Sequence, residues 1–250
     1  MTTAAVLFVL AQSTDGGWTD LFNGRDLSGW KAKIVGHKFG DNFAKTFLVK
    51  DKCIVVSYAG YGGEFKNRFG HLFYKKLFKN YIFRMEYRFL GEQLPDGPGW
   101  AWRNSGIMFH CQDPKSMKVE QDFPVSAEYQ LLGARGNETR STGNLCTPGT
   151  NVVIDDRLVT QHCTDSKSDT FPGDQWVKAE LEVHGSGKVV HRINGVDVMT
   201  YEQVQLDPND KDAKPLILTS GLLVNEGYIA LQSESHPCEF RNIQIKELGD

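Results

Sequence analysis

The stretch YIFRMEYRF, residues 81–89, decides the fold class. Phe83, Met85, Tyr87 and Phe89 alternate with Arg84, Glu86 and Arg88. In an extended chain this puts an apolar row and a charged row on opposite faces. WVKAELEV (176–183) repeats the pattern, with Val177, Ala179, Leu181 and Val183 set against Lys178, Glu180 and Glu182. Both segments read as half-buried antiparallel strands. In KVVHRINGVDVMTY (188–201), Asn194-Gly195 separates two short β-type runs. Both residues tolerate positive φ, which a type I′ hairpin turn requires. GYIALQSES (227–235) and FRNIQIKEL (240–248) supply two further strands. No window carries apolar residues at i, i+3 and i+4 over three turns, so helix is scarce. Polar loops with Gly or Pro are expected at 91–103, 112–126, 136–150, 164–175 and 207–224. Many strands between such loops predict an all-β, two-sheet antiparallel jelly-roll sandwich.

Composition bounds the function classes. The 250 residues carry 28 Lys plus Arg against 31 Asp plus Glu, a formal charge of −3, without a basic block. That balance argues against a nucleic-acid partner. No run of about 18 apolar residues occurs, so no membrane span is expected. Residues 4–10 are apolar, and Val9 and Ala11 suit the −3 and −1 positions of a signal-peptidase site. Residues 1–13 are therefore read as a signal-peptide remnant, and the protein as exported, periplasmic or extracellular. Residues 18–248 are read as one domain. Of five cysteines none sits in CxxC spacing, which disfavours structural zinc. Cys146 and Cys163 bracket a turn-rich stretch and are the best disulfide candidates in an exported protein. GxSxG, P-loop and GxGxxG patterns are absent.

Alternation also groups polar side chains. Tyr228, Ala230, Gln232 and Glu234 share one strand face, an aromatic–amide–carboxylate mixture suited to a sugar, or else an ordinary solvated face. Asn104, Gly106, Met108 and His110 share another. In AEYQLLG, Glu128 aligns with Gln130 opposite Tyr129 and Leu131. A carboxyl buried there would have a raised pKa, fit for acid or base work, unless it is simply salt-bridged. His191 lies on the face of Val189 and Ile193, where a packed core residue is commoner than a catalyst. Arg241 shares its face with Ile243 and Ile245, so it is expected to be buried and paired with Glu128 or Glu234.

WTDLFNGRDLSGW (18–30), NSGIMFH (104–110), AEYQLLG (127–133), WVKAELEV, HRINGV (191–196) and GYIALQSES followed by EFRNIQIKEL occur in one order. Together, over residues 18–248, they resemble the 3-keto-disaccharide hydrolase domain family. The resemblance implies a concanavalin A-like jelly roll. It also implies a carbohydrate ligand whose C3 hydroxyl a separate sugar oxidoreductase has already turned into a ketone. A C3 ketone acidifies the C2 proton. A base can then remove that proton and expel the C1 substituent, after which water adds to the enone. On this likeness Glu128 is the acid/base group. Asn104, Gln130 and Gln232 contact sugar hydroxyls or the oxyanion, and Arg241 orders the carboxylate or polarises the ketone. His191 and Glu234 are secondary candidates, and His110 and Trp102 further substrate contacts. A divalent cation would serve as an electrophile, but no dense ligand cluster accompanies it. Where relatives carry LQ-x-HG, this chain reads LQSESHPCEF, with His236 standing in for that histidine. Trp100 and Trp102 in GEQLPDGPGWAWR read as a lid, a substrate wall or core. The competing classes are a non-catalytic carbohydrate-binding module and a glycosidase on unoxidised glycans, the latter needing two opposed carboxylates.

Overall fold

The computed structural model describes residues 13, 14 and 16–249. The apolar segment read as a signal-peptide remnant lies outside them, apart from its last residue. The described chain forms two antiparallel sheets. The smaller has seven strands in the order Cys163–Thr164, Asn144–Cys146, Ala127–Leu132, Asn104–Cys111, Tyr228–Ser233, Gly70–Tyr74 and Trp30–Ile34. The larger has eleven strands and is centred on Asn80–Phe89, which pairs with Cys238–Glu247 on one side and Val177–His184 on the other. A seven-residue helix, Lys214–Ser220, lies in the loop expected at 207–224, and among the described residues no helix is long and apolar enough to cross a membrane.

The opening motif behaves as its alternation requires. Tyr81, Phe83, Met85, Tyr87 and Phe89 are buried, and the residues between them are half-buried. These rings meet Ile107, Phe109, Tyr129, Leu131 and Leu231 of the smaller sheet in one apolar core. Burying such side chains stabilises the sandwich by roughly 1.5–3 kcal/mol each. Asn194 and Gly195 both have positive φ, 50° and 84°, and close the hairpin between Val189–Ile193 and Val196–Leu206. His191 belongs to this inter-sheet core and is fully buried. Its Nδ1–H donates to the Gly143 carbonyl at 2.9 Å, and the Tyr201 hydroxyl donates to Nε2 at 2.7 Å. The ring stacks on Tyr129 at 4.1 Å between centroids. Burial depresses its pKa to about 4, so it is a neutral packing residue.

Cys146 and Cys163 form a disulfide and are direct register partners. The bridge ties the two-residue edge strand Cys163–Thr164 to the sheet. Cys53, Cys111 and Cys238 are buried thiols. Closing the 17-residue separation stabilises the fold by about 3 kcal/mol through the unfolded chain. The Cys146→Ser/Cys163→Ser double variant is therefore expected to melt roughly 6–12 °C lower by calorimetry.

Candidate active site

One face of the seven-stranded sheet supplies the core, and the opposite face supplies the site. Pairing places Gln130 opposite Asn144 and Gly106, Glu128 opposite Cys146 and Met108, and Gln232 opposite His71. Because alternate residues share a face, these side chains converge on one surface. Loops 112–126 and 91–103 contribute Phe123 and Trp100 as walls. The result is a cavity of about 350 Å³ lined by Glu128, Glu234, Asn104 and Gln130, with Trp100, Phe123, Pro148, His162 and the Cys146–Cys163 bridge around them.

Four of the residues singled out from sequence thus line one cavity, and Gln232 approaches Glu128 diagonally across Gly106. Gly106 makes this approach feasible. A Cβ there would fall 2.6 Å from Glu128 Oε1 and 3.0 Å from Gln232 Oε1. A glycine inside a strand is the mark of such close contact, a signal that the sequence reading passed over. Asn144 fixes Gln130 by donating to its Oε1 at 3.1 Å, while Ser141 and the Ser166 N–H hold the Asn144 oxygen. Asn104 Oδ1, both amide atoms of Gln232 and Glu234 Oε2 are buried without an aligned hydrogen-bond partner in the protein. Each such group costs about 1–3 kcal/mol unless something bonds it, which a hydroxyl-rich ligand can do.

The electrostatics separate the two carboxyls from ordinary surface acids. Glu128 and Glu234 are 6% and 2% exposed. Burial raises both above the usual carboxylate range, and the Glu128 charge raises Glu234 further. The Gln232 amide offsets part of the cost at Glu128, and the Arg140 charge part of that at Glu234. Arg140 also fixes the wall, donating from Nη1 to the Gly133 carbonyl at 2.9 Å and from Nη2 to the Trp100 carbonyl at 3.2 Å. Two buried carboxylates that repel one another do not both form readily, so the pair is built to hold a proton.

The other candidates lie elsewhere. Arg241 is on the larger sheet, 38% exposed, paired with Glu86 at 2.7 Å and lying 3.9 Å from the Trp176 ring centroid. A bulge with Asn242 at φ 53° breaks the alternation and turns Arg241 away from the face of Ile243 and Ile245. A second bulge, at His110 with φ 52°, rotates that side chain off the site face. Its Nε2–H donates to the Gly185 carbonyl at 2.9 Å. Trp102 does not line the cavity; it packs edge-on against His236 at 5.0 Å, and Trp100 takes the wall instead. His236 is fully buried behind the site, held neutral with a pKa of about 4 by burial and the nearby Arg103 and Arg140 charges. The sequence reading missed Phe123 and His162 as cavity walls, because loop residues carry no period. Among the described residues no group of three or more His, Cys, Asp or Glu is arranged to hold a metal ion.

Gly106→Ala is expected to keep the fold, since the position needs no positive φ, yet to displace Glu128 and Gln232. A misplacement near 1 Å costs about 100-fold in rate. Circular dichroism and turnover of a 3-keto disaccharide, measured together, check both halves of this expectation.

Comparison with known proteins bears on the fold and the family. A curated 3-keto-disaccharide hydrolase from Bacteroides thetaiotaomicron is 24% identical over 251 residues, covering 93% of this chain and 79% of that protein. Among solved structures, a candidate glycosyl hydrolase from Parabacteroides distasonis is similar with a TM-score of 0.55 and 22% identity, covering 93% of this chain and 94% of that one. A galectin-like protein of unknown function from Bacillus subtilis gives a TM-score of 0.51 at 14% identity, covering 88% and 90% of the two chains. These likenesses place the fold among galectin-like sandwiches. The family model described as the 3-keto-alpha-glucoside-1,2-lyase-like domain matches residues 17–246, and the chain belongs to that family.

Proposed function

We propose that this protein cleaves the glycosidic bond of 3-keto glycosides, 3-keto disaccharides among them, by elimination followed by hydration. The observation that carries this reading is the pair of buried carboxyls, Glu128 and Glu234, in one sugar-sized cavity lined by amides. Family membership and the curated relative's substrate support the 3-keto sugar as ligand.

The two carboxyls take different roles because their surroundings differ. Glu234 bears the repulsion of Glu128 as well as burial, so it keeps its proton longer. Glu128 has the Gln232 amide to favour its anion and becomes the base. In the proposed step Glu128 removes the proton at C2, whose acidity the C3 ketone supplies. Electrons move into the C1–C2 bond, the C1–O bond breaks, and Glu234 protonates the departing oxygen. The roles then reverse as water adds to the enone at C1 and C2 regains a proton. Asn104, Gln130 and Gln232 bond the ring hydroxyls and the enolate oxygen, already oriented by the sheet. No oxidant is consumed, so a separate sugar oxidoreductase must supply the ketone. The proposal includes a single domain over 18–248 and export through the N-terminal apolar segment.

Glu128→Gln is expected to lower kcat on a 3-keto disaccharide by about 100-fold or more, the usual contribution of a positioned base. Unoxidised disaccharide should be left intact by the wild-type chain, and its cleavage would instead indicate an ordinary glycosidase. The kcat profile should be bell-shaped, rising as the pair loses its first proton and falling as it loses the second.

The same substitution bears on stability with a definite sign. Between the unfolded carboxyl pKa and the raised folded value, the native state binds more protons than the unfolded chain. Stability contributed by the protonated carboxyl is thus full at acid pH and lost as pH rises. Glu128→Gln should melt higher than wild type at pH 8, by roughly 2–8 °C, and no higher at pH 4.

A further inference from the structure

His110 leaves the catalytic face and arrives at a second cavity. This one is about 540 Å³ and includes His110, Asp113, Asn225, Glu226 and Tyr228 in its lining, together with four leucines. None of its lining residues belongs to the Glu128 cavity.

The state of the His110 ring follows from geometry. A carbonyl oxygen can only accept, so the 2.9 Å contact with Gly185 fixes the proton on Nε2. Burial disfavours a second proton and holds the ring neutral, with a pKa of about 4. Nδ1 is then an acceptor without a hydrogen. It is buried in a residue 3% exposed and has no partner in the protein, so a ligand hydroxyl reaches it only as the lining of the cavity gives way. The backbone is committed to this arrangement at some cost. His110 sits at φ 52°, outside the favoured regions for a residue with a side chain, and Gly227 packs against it so closely that a Cβ would lie 2.3 Å from the His110 carbonyl carbon. An orphaned acceptor held by local strain is a feature that structures keep where something uses it.

The remaining lining states what that ligand must look like. Asp113 and Glu226 add carboxylate acceptors, Asn225 an amide, and Tyr228 a half-buried ring. Acceptors surrounded by leucine and an aromatic face fit a molecule that donates several hydrogen bonds and has an apolar flank. A pyranose has both, with hydroxyls at its edge and C–H bonds on its face. We propose that this cavity is a second carbohydrate site, separate from the catalytic one, which binds unoxidised sugar through a hydroxyl donated to His110 Nδ1. It does not rest on the chemistry proposed for Glu128, because the ligand needs no ketone and undergoes no reaction.

The test is a titration of the full chain, 15N-labelled at histidine, with maltose and separately with methyl α-D-glucoside. The His110 Nδ1 resonance is expected to move toward that of a hydrogen-bonded acceptor nitrogen, in wild type and in Glu128→Gln alike. An Asn225→Ala/Glu226→Ala double variant, both positions being exposed, should weaken this response about tenfold, while turnover of a 3-keto disaccharide stays within about twofold of wild type. No movement of His110 at saturating sugar would overturn the proposal. So would an unchanged response in the double variant, or a response to ethylammonium with none to either sugar. Loss of the response in Glu128→Gln would assign the sugar to the catalytic cavity and equally overturn it.

Discussion

Burial of two carboxyls in one cavity is the constraint on which the site depends. Glu128 and Glu234 sit in an apolar-walled cavity, where a lone carboxylate is poorly solvated and two are worse. The fold accommodates them by other means. Gly106 leaves room for the Glu128 side chain, the Gln232 amide faces it, and Arg140 supplies positive charge near Glu234 while holding the Trp100 loop by its carbonyls. The amide and the guanidinium ease ionisation, but burial and mutual repulsion outweigh them and keep a proton within the site at neutral pH.

The sandwich makes this arrangement affordable. One face of the seven-stranded sheet is sealed by the eleven-stranded sheet through an aromatic-rich core. That leaves the other face free to carry polar side chains in fixed rows. The loops that cross it supply Trp100 and Phe123, and the disulfide anchors the edge strand that carries Cys163 beside His162. Strands hold Glu128, Asn104 and the amides, Glu234 follows directly on the end of its strand, and the loops supply the walls. The second cavity uses the same sheet at a place where a bulge redirects one residue.

Strand alternation made much of this legible before the structure. The alternations of YIFRMEYRF and WVKAELEV hold residue for residue, and the Asn194-Gly195 turn has the backbone its composition requires. A period of two needs only the local chain, so it placed Glu128 with Gln130 and Gln232 with Glu234 on faces of their own strands; that these and Asn104 serve one site came from the family resemblance. Arg241 and His110 went astray for a shared reason. Each adjoins a β-bulge, where an extra residue reverses the face, and nothing in FRNIQI or IMFHC announces it. His191 follows its alternation faithfully, but the period cannot say which face meets the other sheet. Its partners Gly143 and Tyr201 come together only through pairing distant in sequence. Phe123 and His162 belong to loops whose course no local pattern sets.

The central claim is that Glu128 and Glu234 retain one proton between them at neutral pH. Infrared difference spectroscopy on protein labelled with 13C at glutamate carboxyls measures this directly. A protonated-carboxyl band should be present at pH 7 and vanish when both positions are replaced, in Glu128→Gln/Glu234→Gln. Absence of any protonated glutamate at pH 7 in the wild-type protein would contradict the account.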